Sequence, residues 1–104
     1  MASTIDEITV NYEENDQLLV KELDKVILTR GAWTTILFRY QQWNNEAQDY
    51  EPEKYMIRRY RKVGGEYKVQ SKFVISNREQ ARKIIDALQG WIADAAASAG
   101  GEEE

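Results

Sequence analysis

Lys54 to Lys83 reads KYMIRRYRKVGGEYKVQSKFVISNREQARK, and this stretch decides the fold. It holds two strand-like runs joined at Gly64-Gly65, followed by the opening of a helix. Glycines supply the positive φ that a two-residue hairpin turn demands, so the two runs are expected to pair antiparallel. In the second run Tyr67, Val69, Ser71, Phe73 and Ile75 share one parity. Lys68, Gln70, Lys72 and Val74 share the other. Ser76 stands three residues before Glu79, the spacing of a capping box, and predicts where the helix starts. Ala81, Ile84, Ile85, Leu88, Trp91, Ile92 and Ala95 then form an apolar stripe at helical spacing. Trp91 is read as a core residue, and Gly90 as a weak point or bend.

Outward from this stretch, Ala32 to Trp43 (AWTTILFRYQQW) is the longest strand candidate, rich in aromatic and β-branched residues. Its even positions, Thr34, Ile36, Phe38 and Tyr40, form the expected core face. Its odd positions carry Trp33 and Trp43, which could stack bases or cover a dimer interface. Asn44 to Glu53 holds the single proline and reads as a loop. Val26 to Thr29 reads as a short strand stopped by Gly31. Before it, Ile8, Val10 and Tyr12 alternate with polar residues, and Asn15-Asp16 marks a turn. Leu18 to Val20 could begin a further strand.

The expected fold class is therefore α+β. A four- to five-stranded antiparallel β-sheet meander is followed by one C-terminal α-helix packed on one face. The expected organisation is an acidic N-terminal segment at 1–23 able to hold a short strand, a β-β-β-β-α domain at 24–96, and a disordered acidic tail at 97–104.

Charge supplies the functional signal. Lys54 to Lys83 holds ten of the fourteen basic residues and two of the eighteen acids, a net +8 against −12 for the rest of the chain. Like-signed charges interleaved with tyrosines suit a phosphate backbone and unpaired bases that stack on exposed rings. A single strand fits a sheet face better than a duplex does, because a duplex reader more often presents a recognition helix.

Several classes are disfavoured. With no cysteine and no histidine among its 104 residues, the chain has no disulfide, no thiolate nucleophile and no imidazole base or metal ligand. The acidic clusters Glu13, Glu14, Asp16 and Asp49, Glu51, Glu53 lack the spacing of a calcium loop, so no metal site and no cofactor are expected. No catalytic constellation is assigned, and the chain is read as not an enzyme. No run is apolar enough for a membrane span. MASTIDEITV lacks the pattern of a signal peptide, so a cytoplasmic location is expected.

Trp33 with Leu37 forms W-x-x-x-L, and Lys54, Tyr55, Ile57 and Arg58 form K-Y-x-I-R, ahead of the strand into Ser76 and its helix. Over about residues 24 to 93 this pattern resembles the transcriptional positive cofactor four family, in particular its short bacterial members. The related whirly and purine-rich-element-binding folds share the strand-helix order. The resemblance implies a homodimer that binds single-stranded DNA through basic and aromatic side chains, with Trp33, Lys54, Tyr55 and Arg58 at matching positions. Strand parity adds Arg39, Arg61, Lys68 and Lys72, and Tyr60 is a further stacking candidate. The expected function is single-stranded nucleic-acid binding, DNA or RNA with DNA favoured, as a transcription or replication accessory factor. The alternative is a protein-interaction module whose basic hairpin docks an acidic partner.

Overall fold

Two tight turns set the register of the whole sheet. Asn15 and Asp16 (φ 53° and 66°) and Gly64 and Gly65 (φ 62° and 85°) adopt the left-handed conformation twice in succession. Each pair closes a two-residue hairpin whose twist matches its strands. The computed structural model describes residues 2–99, with side chains as far as 95. Its strands are β1 (Tyr12–Glu14), β2 (Gln17–Thr29), β3 (Trp33–Asn44), β4 (Asp49–Tyr50), β5 (Lys54–Val63) and β6 (Glu66–Ile75), followed by α1 (Arg78–Ala99). The pairing is antiparallel throughout, in the order β1-β2-β3-β5-β6, with β4 attached to the end of β3. An α+β fold with an antiparallel sheet and one C-terminal helix is what the alternation predicts.

β2 is longer than expected. Its charged stretch Lys21 to Lys25 pairs continuously along β3 apart from a bulge near Leu23, so the boundary expected at 23/24 falls inside a strand. Pairing with β3 overrides the weak strand propensity of lysine and aspartate.

The even positions of β3 do form the core. Thr34, Ile36 and Phe38 are fully buried, and Tyr40, Met56 and Tyr60 join them on this inner face. Its cover is the N-terminal segment rather than α1. Ile8 and Val10 seal the inner face, and each contributes about 1.5–3 kcal/mol by leaving water. Polar bonds fix the segment in place. The Lys25 ammonium donates to the carbonyls of Ile5, Asp6 and Ile8, and the Tyr67 N–H donates to Ala2 O. The Glu22 carboxylate accepts from the Thr9 hydroxyl at 2.6 Å and the Val10 N–H at 3.3 Å.

A bulge corrects the expected facing of β6. Arg59 pairs with Ser71 but Tyr60 pairs with Val69, so Gln70 is the extra residue. Beyond it the parity flips. Tyr67 and Val69 therefore join Lys72 and Val74 on the inner face, while Lys68 joins Ser71, Phe73 and Ile75 on the outer face.

The helix starts one residue later than expected. Asn77 caps it, its side-chain oxygen accepting the Gln80 N–H at 2.8 Å, and the Gln80 side chain accepts the Ser76 N–H at 2.8 Å. α1 leans on β6 over the outer face. There Ala81 and Ile84 line an open groove of about 800 Å³ together with Leu28, Leu37, Ile57 and Ile75. Trp91, expected in the core, is 68% exposed, and Ile85, Leu88 and Ile92 are exposed beside it. With the core closed by the N-terminal segment on the other face, none of the described residues covers this stripe. Residues 97–99 of the expected tail continue α1, and 100–104 lie outside the described residues. Among the described residues no helix is long and apolar enough to cross a membrane.

Candidate functional site

The link between β2 and β3 places the first functional side chain. Gly31 sits at φ 126°, a conformation other residues adopt only with strain. Its carbonyl accepts from the Thr34 hydroxyl at 2.9 Å and the Tyr67 hydroxyl at 3.2 Å. The next carbonyl, of Ala32, accepts the Lys62 N–H at 2.8 Å. The link is thus fastened to both hairpin strands, and Trp33 emerges from it at a defined point on the outer face.

Register then surrounds Trp33 with cations. Arg61 is its direct partner across the ladder, and Arg59 is the partner of Thr35 two residues on. Their guanidinium carbons stand 5.3 Å and 4.3 Å from the centroid of the tryptophan ring. Lys68 pairs with Arg61 on the same face, and Lys62 on the inner face lies over the Tyr67 ring. Trp33 remains 41% exposed. Among the described residues the ion pairs lie elsewhere, so Arg59, Arg61, Lys62 and Lys68 have no carboxylate to neutralise them. Two cations beside one exposed ring strengthen its attraction for a negatively charged, flat ligand.

The opposite end of the sheet is acidic. Glu13, Glu14 and Asp16 sit at the first hairpin, whose β2 limb runs beside the end of β3, and Asp49, Glu51 and Glu53 follow β3. Arg39 is bound to Glu53 at 3.0 Å, and Lys54 reaches Glu51 at 3.4 Å and Gln42 at 2.9 Å. The net charge of −4 conceals this segregation along the strands.

The nine residues singled out from sequence therefore separate. Trp33, Arg61 and Lys68 come together. Arg39 and Lys54 are engaged by acids at the far end. Tyr55 lines the groove under α1. Arg58, Tyr60 and Lys72 lie on the inner face, where Tyr60 is 4% exposed and offers no open ring to a base. Burial raises the Tyr60 phenol above its ordinary value of 10.0, against the pull of Arg58. Trp43 packs edge-on against Tyr50 at 5.1 Å, about 33 Å along β3 from Trp33 at the usual rise per residue. The two tryptophans do not share a surface patch.

Arg59 belongs to the cluster although sequence reasoning did not single it out, and Lys62 with Tyr67 stands behind it on the inner face. Arg59 carried a usable signal, since it shares the parity of Arg61. Among the described residues no group of three or more carboxylates is placed to hold a metal ion. Compared with known proteins, the chain matches no family model, no curated sequence and no solved structure.

Proposed function

We propose that this protein is a non-enzymatic binder of single-stranded nucleic acid, DNA in preference to RNA, and that it acts as a homodimer. The observation that carries the reading is Trp33, exposed and flanked by two unneutralised guanidinium groups. A π surface beside planar cations forms a platform for an unpaired base, and Arg61 and Lys68 on the same face offer charge to the phosphates beside it. Among the described residues no helix stands at this end of the outer face to enter a major groove, which favours a single strand over a duplex. The resemblance to the transcriptional positive cofactor four family supports the preference for DNA and an accessory role in transcription or replication.

The homodimer rests on the outer face. Leu28, Phe73, Leu88 and Trp91 are each about half or more exposed on the side where α1 stands. A second copy would bury this apolar surface. Antiparallel helices would also set Arg78, Arg82 and Lys83 of one copy beside the other's last turns, which carry no basic residue.

The test is fluorescence anisotropy of a labelled single strand of ~20 nucleotides, longer than the site of one small binding domain, beside its duplex at two salt concentrations. Binding that favours the single strand and weakens steeply with salt supports the reading. Affinity indifferent to salt, or absent at low salt, overturns it and assigns the basic end to an acidic protein partner.

A further inference from the structure

On the inner face, away from Trp33, the N-terminal segment does not lie flush with the sheet. A pocket of about 380 Å³ remains between them, lined by Asn11, Tyr40, Met56, Arg58, Lys72 and Val74 among others. Arg58 and Lys72 are direct partners across the ladder and project to the same side. Neither has a carboxylate partner among the described residues. Arg58 reaches the Tyr60 hydroxyl at 3.5 Å, a long contact, while its Nε is buried with no hydrogen-bond partner. Arg58 thus brings an unneutralised charge to the pocket, and an anion that accepts from its terminal nitrogens gains a charge-assisted bond while the sealed Nε–H senses the change.

The pocket wall is fixed rather than displaceable. Ile8 and Val10 are core residues, and Lys25 holds the carbonyls of the segment ahead of them. Glu22, opposite Tyr40 in the ladder, already accepts from Thr9 and Val10. The Tyr40 phenol is raised by burial and so stays a donor at neutral pH.

We propose that this pocket is a phosphate site, in which Arg58 and Lys72 hold the phosphoryl group of a nucleotide-sized ligand. A phosphoryl group presents its oxygens in several directions to a guanidinium fork, an ammonium and a phenol, where a carboxylate presents two in one plane. The volume is within the range of small-ligand sites, and Met56 and Val74 give it an apolar side. The phosphate can come from a free nucleotide or from a strand backbone. The proposal does not depend on the strand-binding reading, because the pocket lies on the opposite face from Trp33.

The buried Arg58 Nε–H is itself the reporter. In 15N-labelled protein its resonance, assigned by its loss in Arg58→Lys, is followed while inorganic phosphate, adenosine 5′-monophosphate or an unphosphorylated single strand is added. The expected result is a saturable shift with phosphate and with the nucleotide, weakened about tenfold by Lys72→Gln, the weight of one charge-assisted hydrogen bond in a half-open site. Trp33→Ala should leave this shift intact even where it abolishes strand binding, so the two readings fail separately. A shift given only by the single strand identifies a backbone phosphate as the source and supports the site. A resonance unmoved by all three probes to millimolar concentration, or a phosphate shift indifferent to Lys72→Gln, overturns it.

Discussion

The Arg59 guanidinium lies 4.3 Å from the centroid of the Trp33 ring, on a ladder whose register sets Arg61 directly opposite the same tryptophan. The contact joins β3 to β5 at the exposed end of the sheet, so it orients the ring without burying it. Its dependence on backbone pairing makes the geometry a property of the fold rather than of one flexible side chain.

Removing that ring should separate binding from folding. Trp33→Ala is expected to weaken single-strand affinity about ten- to hundredfold, the range for losing one stacked base. Circular dichroism and melting should change little, because the ring is 41% exposed and packs on cations rather than on the core. Unchanged affinity by anisotropy would discard the stacking platform.

Charge should divide the arginines into two groups. Arg61→Gln and Lys68→Gln are each expected to reduce the salt slope of single-strand binding by about 0.7, the value for one phosphate contact. Arg39→Gln should leave the slope unchanged, since Glu53 already holds that guanidinium at 3.0 Å. Equal slopes across all three variants would move the interface away from the Trp33 end.

Legibility followed physical cause. β3, the Gly64-Gly65 turn and the helix stripe were readable because period and turn chemistry are local. The middle of β2 was not, because Lys21 to Lys25 become strand only through pairing with β3. The bulge at Gln70 has no signature in Val69-Gln70-Ser71, and one inserted residue reversed the facing of everything before it. Within the site, Trp33 and Arg61 could be named from the sequence, whereas Lys68 reaches their face only because the bulge reverses its parity. The neutralisation of Arg39 and Lys54 could not, because it needs the chain to return through β4 and bring Glu51 and Glu53 alongside.

The N-terminal segment, expected as a separate region, should behave as core. Ile8→Ala is predicted to cost about 2–5 kcal/mol in urea unfolding, as for a buried aliphatic residue. Thr9→Ala, beside it but exposed, removes the bond to Glu22 and the one its hydroxyl accepts from the Asn11 N–H, both exposed, and should cost about 0.5–1.5 kcal/mol. An Ile8→Ala effect no larger than that of Thr9→Ala would mean the segment is not seated on the inner face in solution.

Acid should loosen the same segment. The Glu7 carboxylate accepts from the Ser3 N–H at 2.9 Å, the Ser3 hydroxyl at 3.1 Å and the Thr4 N–H at 3.3 Å. The Ser3 backbone bond is the main cause of a pKa held below the ordinary 4.5. A depressed carboxyl stabilises the fold above its unfolded pKa and loses that contribution as pH falls through the folded value. The melting temperatures of the wild type and Glu7→Gln should therefore differ most at neutral pH and converge below pH 4.5. A gap that persists unchanged into acid would mean the bonds to Ser3 and Thr4 do not form in solution.

The exposed stripe of α1 should make stability depend on concentration. If a second copy covers Leu88 and Trp91, dilution releases apolar surface and lowers the melting temperature by mass action. Leu88→Glu places a charge in that stripe at a position 49% exposed in the protomer, so the fold of one copy has little reason to change. The expected outcome is a monomer by sedimentation equilibrium, native circular dichroism, and a melting temperature that no longer varies with concentration. A wild-type chain that sediments as a monomer at every concentration would remove the dimer. It would leave the groove under α1 as an apolar surface awaiting a different partner.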